Sequence, residues 1–316
     1  MERLPLPVDH LSCCEQECPR PSSLSIFSRR NLLKEQLTGV GEPEGEKVMK
    51  SLHGSVQVIR SFADRIAQSL LDTEGTEDPT EANQISQNLV NDLCSQYSYK
   101  DVTKKGLEWG DIYQKNGYTK ALDKHFMERN KRVAHLIGCR AISGSLLDHD
   151  CGDSYVANFI QDFRPDVQVT TTDSMDVRGE NTKLPFIQYN YEKKELPIKN
   201  KTFDQALMAT VLHHCDQPEK MFDEVVRCVR PGGRVYIFEN TFSQGGREEK
   251  ALNILFDWYF NTVVHKSQLP CPFSHFCPEQ WKYFIKSKGL TLEEEVHDGM
   301  YKAIPLQHTL FVARKS

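Results

Sequence analysis

The sequence predicts an α/β protein: a doubly wound, mostly parallel seven-stranded sheet with an antiparallel C-terminal strand, preceded by a helical N-terminal extension. Three observations predict it. Short β-rich runs alternate with helix-period segments from Ala141 to Asn240. The first two of those runs end in carboxylates, Asp148 and Asp173. Residues 196–240 read as one unbroken strand, helix, turn and strand.

The elements follow in chain order. Residues 1–45 are rich in Pro, Ser, Gly and Glu and are expected to form a disordered tail. Val48, Leu52, Val56, Ile59, Phe62, Ile66 and Leu70 recur at helical spacing, which predicts one helix over 46–71. An acidic linker, 72–80, precedes a second helix over 81–97. Residues 101–137 read as mixed, with helices at 118–127 and 129–137. The reading divides the chain into a tail (1–45), a helical segment (46–100) and an α/β domain (101–316).

Within that domain, strands are expected at 145–148, 167–172 and 186–191, then from Ala206 to Leu212 and around Val235–Phe238. Asp216 is the expected N-cap of a helix from Pro218, and Pro231–Gly232–Gly233 ends it. An insertion over 241–285 carries ALNILFDWYFNTVV (251–264), apolar on nearly every side. It reads as a buried helix, as a hydrophobic roof over a lipid-like or aromatic acceptor, or as a partner interface. Residues 290–296 and 309–313 supply the last two strands.

Composition excludes some functions. The net charge of −5 offers no broad basic field, so nucleic-acid binding is not expected. No apolar run reaches the roughly 18 residues that span a bilayer, and no apolar signal core opens the chain. A cytoplasmic location is the expectation. The ten cysteines suggest reduced thiols rather than a disulfide framework. Neither Cys13, Cys14 and Cys18 nor Cys271, His275 and Cys277 supplies a zinc quartet, so no metal is expected.

Ligands of such sheets bind outside the carboxyl ends of the strands. Asp148 closes the first strand, and Asp173 closes the second, 173 − 148 = 25 residues later. A carboxylate there suits a ribose diol. Asn190 or Glu192, after the third strand, can meet a base amino group. The loop between first strand and helix is acidic, with Asp148, Asp150 and Asp153 around Gly152. It would repel a pyrophosphate and tolerate a sulfonium with an ammonium group.

Residues 129–240 resemble the class I S-adenosylmethionine-dependent methyltransferases, in particular the branch acting on small molecules and lipids. Three stretches carry the resemblance. Leu196–Asp204 (LPIKNKTFD) matches the family's L-P-F-x-x-x-x-F-D; Val211–His214 matches V-L-H-H; Arg230–Gly233 matches R-P-G-G. The glycine loop, D-x-G-x-G-x-G in the family, is degenerate here: Asp148–His149–Asp150–Cys151–Gly152–Asp153–Ser154 keeps only the central glycine.

The resemblance implies a Rossmann-like domain that uses S-adenosylmethionine. It places cofactor contacts at Asp148, Asp150, Gly152, Ser154, Asp173, Ser174, Asn190 and Glu192. His213 and His214 are the candidate catalytic groups, as base or as anchors of a substrate oxygen. The competing expectation is that they only cap the strand. Glu239, Trp258 and Tyr259 are candidate acceptor contacts; for Glu239, solvent is an equal expectation. Trp109, Tyr113 and Tyr118 either form a lid or pack an N-terminal helix. The expected reaction is methyl transfer to a small-molecule or lipid-like acceptor. The alternative is an inactive methyltransferase fold that binds a protein partner through its N-terminal helices.

Overall fold

A computed structural model describes residues 44–179, 182–243, 246–267, 274–301 and 303–316. By its internal contacts the chain divides into Met1–Thr38 and Gly39–Ser316, and everything described lies in the second unit. The expected tail falls outside the described residues except for Glu44 and Gly45, which open the first described helix.

Among the described residues, five helices lead in: α1 (Glu44–Gly54), α2 (Val56–Asp72), α3 (Pro79–Cys94), α4 (Tyr99–Lys115) and α5 (Tyr118–Gly138). The single helix expected over 46–71 is two. Ser55 breaks it with extended backbone (φ −151°, ψ 127°), and its hydroxyl accepts the Val58 N–H as an N-cap. Asp78 caps α3 with Pro79 at the first helical position. Ser98 caps α4, which fills much of the stretch read as mixed. The two helices expected between 118 and 137 are one continuous α5.

The sheet comprises β1 (Gly144–His149), β2 (Val167–Asp173), β3 (Phe186–Gln188), β4 (Phe203–Ala209), β5 (Val229–Thr241), β6 (Leu290–Tyr301) and β7 (Ile304–Lys315), in the order β3-β2-β1-β4-β5-β7-β6. β1 to β5 are parallel. β7 runs antiparallel between β5 and β6, so the C-terminal strand is interior and β6 is the edge. The strand order reverses at β1, which leaves a crevice at the carboxyl ends of β1 and β4.

Helices cover both faces. α5 and α6 (Tyr155–Phe163) pack Val133, Ile137, Ala157 and Ile160 against Leu146, Val169, Leu207 and Tyr236. On the other face, Phe222 of α7 (Pro218–Cys228) meets Phe284 of α9 (Pro278–Ser287), and Trp281 meets Phe311. Gln217, not Asp216, stands at the N-cap of α7. Asp216 instead accepts from the Tyr191 hydroxyl and pairs with Lys194.

The insertion forms α8 (Arg247–Tyr259), which runs into a π-helical turn, Phe260–Val264. α8 buries nearly all of its sides because it sits between the sheet domain and the N-terminal helices. Phe62, Ile66 and Leu70 of α2 and Tyr113 of α4 share one apolar core with Leu255, Phe256 and Tyr259. Phe62 meets Phe256 edge-on, with ring centroids 4.9 Å apart. No helix among the described residues is long and apolar enough to cross a membrane.

Candidate active site

The loop after β1 shows why the glycine motif can lose two glycines. Asp150, Gly152 and Ser154 all adopt left-handed backbone, with φ of 52°, 52° and 62°. These are the loop's glycine positions, so the backbone path is kept while two side chains bear its strain. A Cβ built on Gly152 would meet nothing within 4 Å, so open space lies beside it. Ser154 makes no capping bond to α6; Asp153 Oδ1 accepts the Tyr155 N–H instead.

Asp173 stands at the tip of β2, beside this loop. Its Oδ2 accepts the Gly152 N–H at 3.0 Å, and its Oδ1 accepts the Met175 N–H at 3.2 Å and the Ser174 hydroxyl at 3.4 Å. Asp150 accepts the Tyr189 hydroxyl at 2.6 Å. His149, buried behind it, lies 3.4 Å from the other Asp150 oxygen and contacts Thr172 Oγ1 at 3.1 Å. Sequence reasoning missed both Tyr189 and His149. Tyr189 follows directly on β3, which ends at Gln188 rather than at Tyr191. Asn190 and Glu192 are exposed; Asn190 Oδ1 accepts the Glu192 N–H and caps the turn.

The carboxylates at the tips of β1 and β2 crowd one another, and burial disfavours their charge. Burial, then Asp150, Asp153 and Asp173, push the Asp148 carboxyl up to about 8. Asp173 is raised by burial and by Asp150. The counter-charge at this end is Arg129 of α5, whose guanidinium burial lowers to about 10 while Asp298, Asp153 and Glu239 oppose that shift. Arg129 sits 5.5 Å over the Phe238 ring. A cation suits such a cluster of carboxylates.

A second cluster lies over β4 and β5. Thr210, at the end of β4, takes φ 55° and donates its N–H to the Phe238 carbonyl. The chain then enters a tight turn, Leu212–His214. Glu239 holds this turn. Its Oε1 accepts the Val211 and Leu212 N–H groups at 3.0 and 2.8 Å, and its Oε2 contacts His213 Nδ1 at 2.5 Å. The expectation that Glu239 faces an acceptor or solvent is therefore corrected. It is fully buried and positions the histidine turn.

Asp257 of α8 closes the cluster. Its Oδ1 lies 3.5 Å from His213 Nε2 and 3.8 Å from His214 Nε2, and its Oδ2 lies 3.8 Å from His275 Nε2. Burial alone would lower His213, but Glu239 and Asp257 carry it up to about 10. Burial and the neighbouring His213 hold His214 below its ordinary range. Burial raises Asp257, yet His214 and His213 keep it well below the usual carboxylate range. His213 Nε2 and Asp257 Oδ2 are buried without a hydrogen-bond partner.

Trp258 and Tyr259, expected at an acceptor, flank Asp257 but turn into the helical core. Trp258 faces Gly106 of α4, and Tyr259 meets Phe62 and Tyr113 edge-on. Tyr113 and Tyr118 pack edge-on in the same core, and Trp109 donates to Asp92, so packing rather than a lid describes them. Cys13, Cys14, Cys18 and Cys271 lie outside the described residues.

Residues 147–237, which run from β1 into β5, match the family described as "Methyltransferase domain". This stretch of the chain is thus a methyltransferase domain by its family match. The cofactor of this domain is S-adenosylmethionine, and the acidic pocket beside open space at Gly152 fits a sulfonium cation.

Among curated proteins, the ubiquinone/menaquinone biosynthesis C-methyltransferase UbiE of Idiomarina loihiensis is 28% identical over 132 residues, 42% of this chain and 49% of that protein. The match thus spans about half the length of that relative. A Thermotoga maritima S-adenosylmethionine-dependent methyltransferase, a possible histamine N-methyltransferase, is similar at 16% identity and TM-score 0.47, over 65% of this chain and 99% of that one. A Burkholderia thailandensis 1,6-didemethyltoxoflavin-N1-methyltransferase with bound S-adenosylhomocysteine is similar at 17% identity and TM-score 0.45, over 66% and 88%.

Proposed function

We propose that this protein moves a methyl group from S-adenosylmethionine to a small-molecule or lipid-like acceptor. The observation that carries the reading is the pairing of two sites at one end of the sheet. An acidic berth lies at the tips of β1 and β2, and a buried polar cluster lies over β4 and β5. In this reading, Asp173 accepts the ribose hydroxyls with whatever capacity its own loop leaves. The Asp148–Ser154 loop, with Ser174 beside it, receives the methionyl end, and Asn190 or Glu192 borders the base.

Methyl transfer from a sulfonium is an in-line displacement with a good leaving group. Most of the acceleration then comes from holding nucleophile and methyl at near-attack distance. His213, held rigid by Glu239, and His214 beside it are the groups that orient the acceptor. The unpartnered atoms of His213 and Asp257 supply polar contacts for it. The domain of 101–316 acts with the N-terminal helices, which wall the insertion from outside.

The experiment is transfer of labelled methyl from S-adenosylmethionine into fractionated small-molecule and lipid extracts. Labelled product is expected, and a His213→Gln variant should lose about 100-fold in rate with cofactor affinity kept. A protein that binds S-adenosylhomocysteine yet labels no fraction would contradict the reading and favour an inactive fold that serves as an interaction module.

A further inference from the structure

We propose that His213, His214 and Asp257 bind a zinc ion, through both histidine Nε2 atoms and one Asp257 oxygen, with Glu239 as the carboxylate that orients His213. The three ligand atoms lie within 4.8 Å of one another. Asp257 Oδ1 stands 3.5 and 3.8 Å from the two Nε2 atoms. Those separations exceed a hydrogen bond. They are close to the edge of a tetrahedron whose ligands sit at about 2.0–2.1 Å, roughly 3.3–3.4 Å.

Three further observations point the same way. His213 Nε2 is buried, has no hydrogen-bond partner and faces the cluster. The other nitrogen of that ring meets Glu239 Oε2 at 2.5 Å, the carboxylate–histidine arrangement that fixes a metal-binding tautomer. Glu239 is itself immobilised by two backbone N–H groups. Charge agrees as well: Glu239 and Asp257 are both buried, and a divalent ion with neutral imidazoles balances them. Two nitrogens and one oxygen suit zinc, with one position left open.

The ion's role rests on the methyl-transfer reading above. An acceptor hydroxyl or thiol binds at the open position and releases its proton to water, because the metal lowers its pKa. The bound anion then forms its bond to the methyl carbon as the sulfur–methyl bond breaks. The sulfonium charge leaves as that proton, S-adenosylhomocysteine departs neutral, and zinc keeps its oxidation state.

The test is metal content and affinity of the full chain. After equilibration with zinc and gel filtration, elemental analysis should find one zinc per chain. Cobalt in its place should show the strong visible bands of a tetrahedral site. Competition with a chromophoric chelator should show Asp257→Asn weakened at least roughly 10-fold and Glu239→Gln weakened roughly 10–100-fold. Should Asp257→Asn fail to fold by circular dichroism, His214→Gln, at the partly exposed rim, must show the same loss. A folded wild-type chain that takes up no stoichiometric zinc and gives no cobalt bands overturns the proposal. So do folded ligand variants that bind zinc as tightly as wild type, which would leave His213 as an imidazolium between two carboxylates. S-Adenosylhomocysteine binding measured on the same samples separates the two readings: its loss with zinc retained counts against the cofactor reading alone.

Discussion

Ser154 is the simplest residue on which to weigh the altered glycine loop. It takes left-handed backbone, makes no capping bond and is fully buried. That conformation costs a non-glycine residue about 1–2 kcal/mol. Ser154→Gly should therefore raise stability by about 1 kcal/mol in urea titration, while Ser154→Ala should give no gain. Asp150 bears the same strain but is held by Tyr189, so its replacement would mix two effects. Asp148 yields a pH signature. Its native carboxyl is raised to about 8, far above its unfolded value, so the native state holds a proton that the unfolded chain has lost. Stability of the ligand-free protein should fall as pH rises from about 4 to 8. A bound cation favours the ionised form, so S-adenosylmethionine affinity should strengthen over pH 6 to 8 and then level off. Calorimetry across that range checks the sign; affinity that weakens would contradict it. The residue scale also shows what sequence could not supply. Asp257 is the one charge inside ALNILFDWYFNTVV, and only the fold brings it to His213. Glu239 and His213 were each visible as strand-end residues, but their contact depends on β4 and β5 being neighbours in register.

At the scale of elements, the strands were legible because a parallel strand buried on both faces reads as a plain apolar run. β1 and β2 fall where their runs are, whereas β4 (Phe203–Ala209) starts and ends three residues before the expected Ala206–Leu212 run, whose last residues enter the turn at Leu212–His214. The helices were less so, because periodicity does not mark a single-residue break. Ser55 interrupts an otherwise continuous pattern, and residues 118–138 hide an unbroken helix under mixed composition. The contact between α4 and the π-helical turn was not legible at all. It depends on Gly106 and Gly110. A Cβ on Gly110 would stand 2.8 Å from the Val263 carbonyl, backbone that cannot turn aside. Alanine's better helix propensity, about 1 kcal/mol, opposes this clash. The clash should win, and Gly110→Ala should lower stability by about 1–2 kcal/mol in denaturant titration. An increase would show that the turn gives way.

For the molecule as a whole, the N-terminal helices and the insertion form one apolar core rather than an appendage beside a domain. Phe62, Phe256 and Tyr259 cannot be covered separately. Deleting residues 44–98 should therefore abolish cooperative unfolding and expose apolar surface to dye, even though the methyltransferase-like run from β1 into β5 is intact. A well-folded truncated chain would show that the two parts are separable. Composition alone divided the chain at about residue 100, because it reports polarity and not which faces meet. The sheet order, with its reversal at β1, then sets the acidic berth and the histidine cluster side by side. The central claim is that this berth holds the cationic adenosyl donor. Isothermal titration of the full chain with S-adenosylmethionine tests it most directly. Binding of one molecule per chain is predicted, lost in a folded Asp173→Ala variant and partly kept in Asp173→Asn. No heat and no thermal shift between pH 6 and 9, or unchanged affinity in Asp173→Ala, would contradict it.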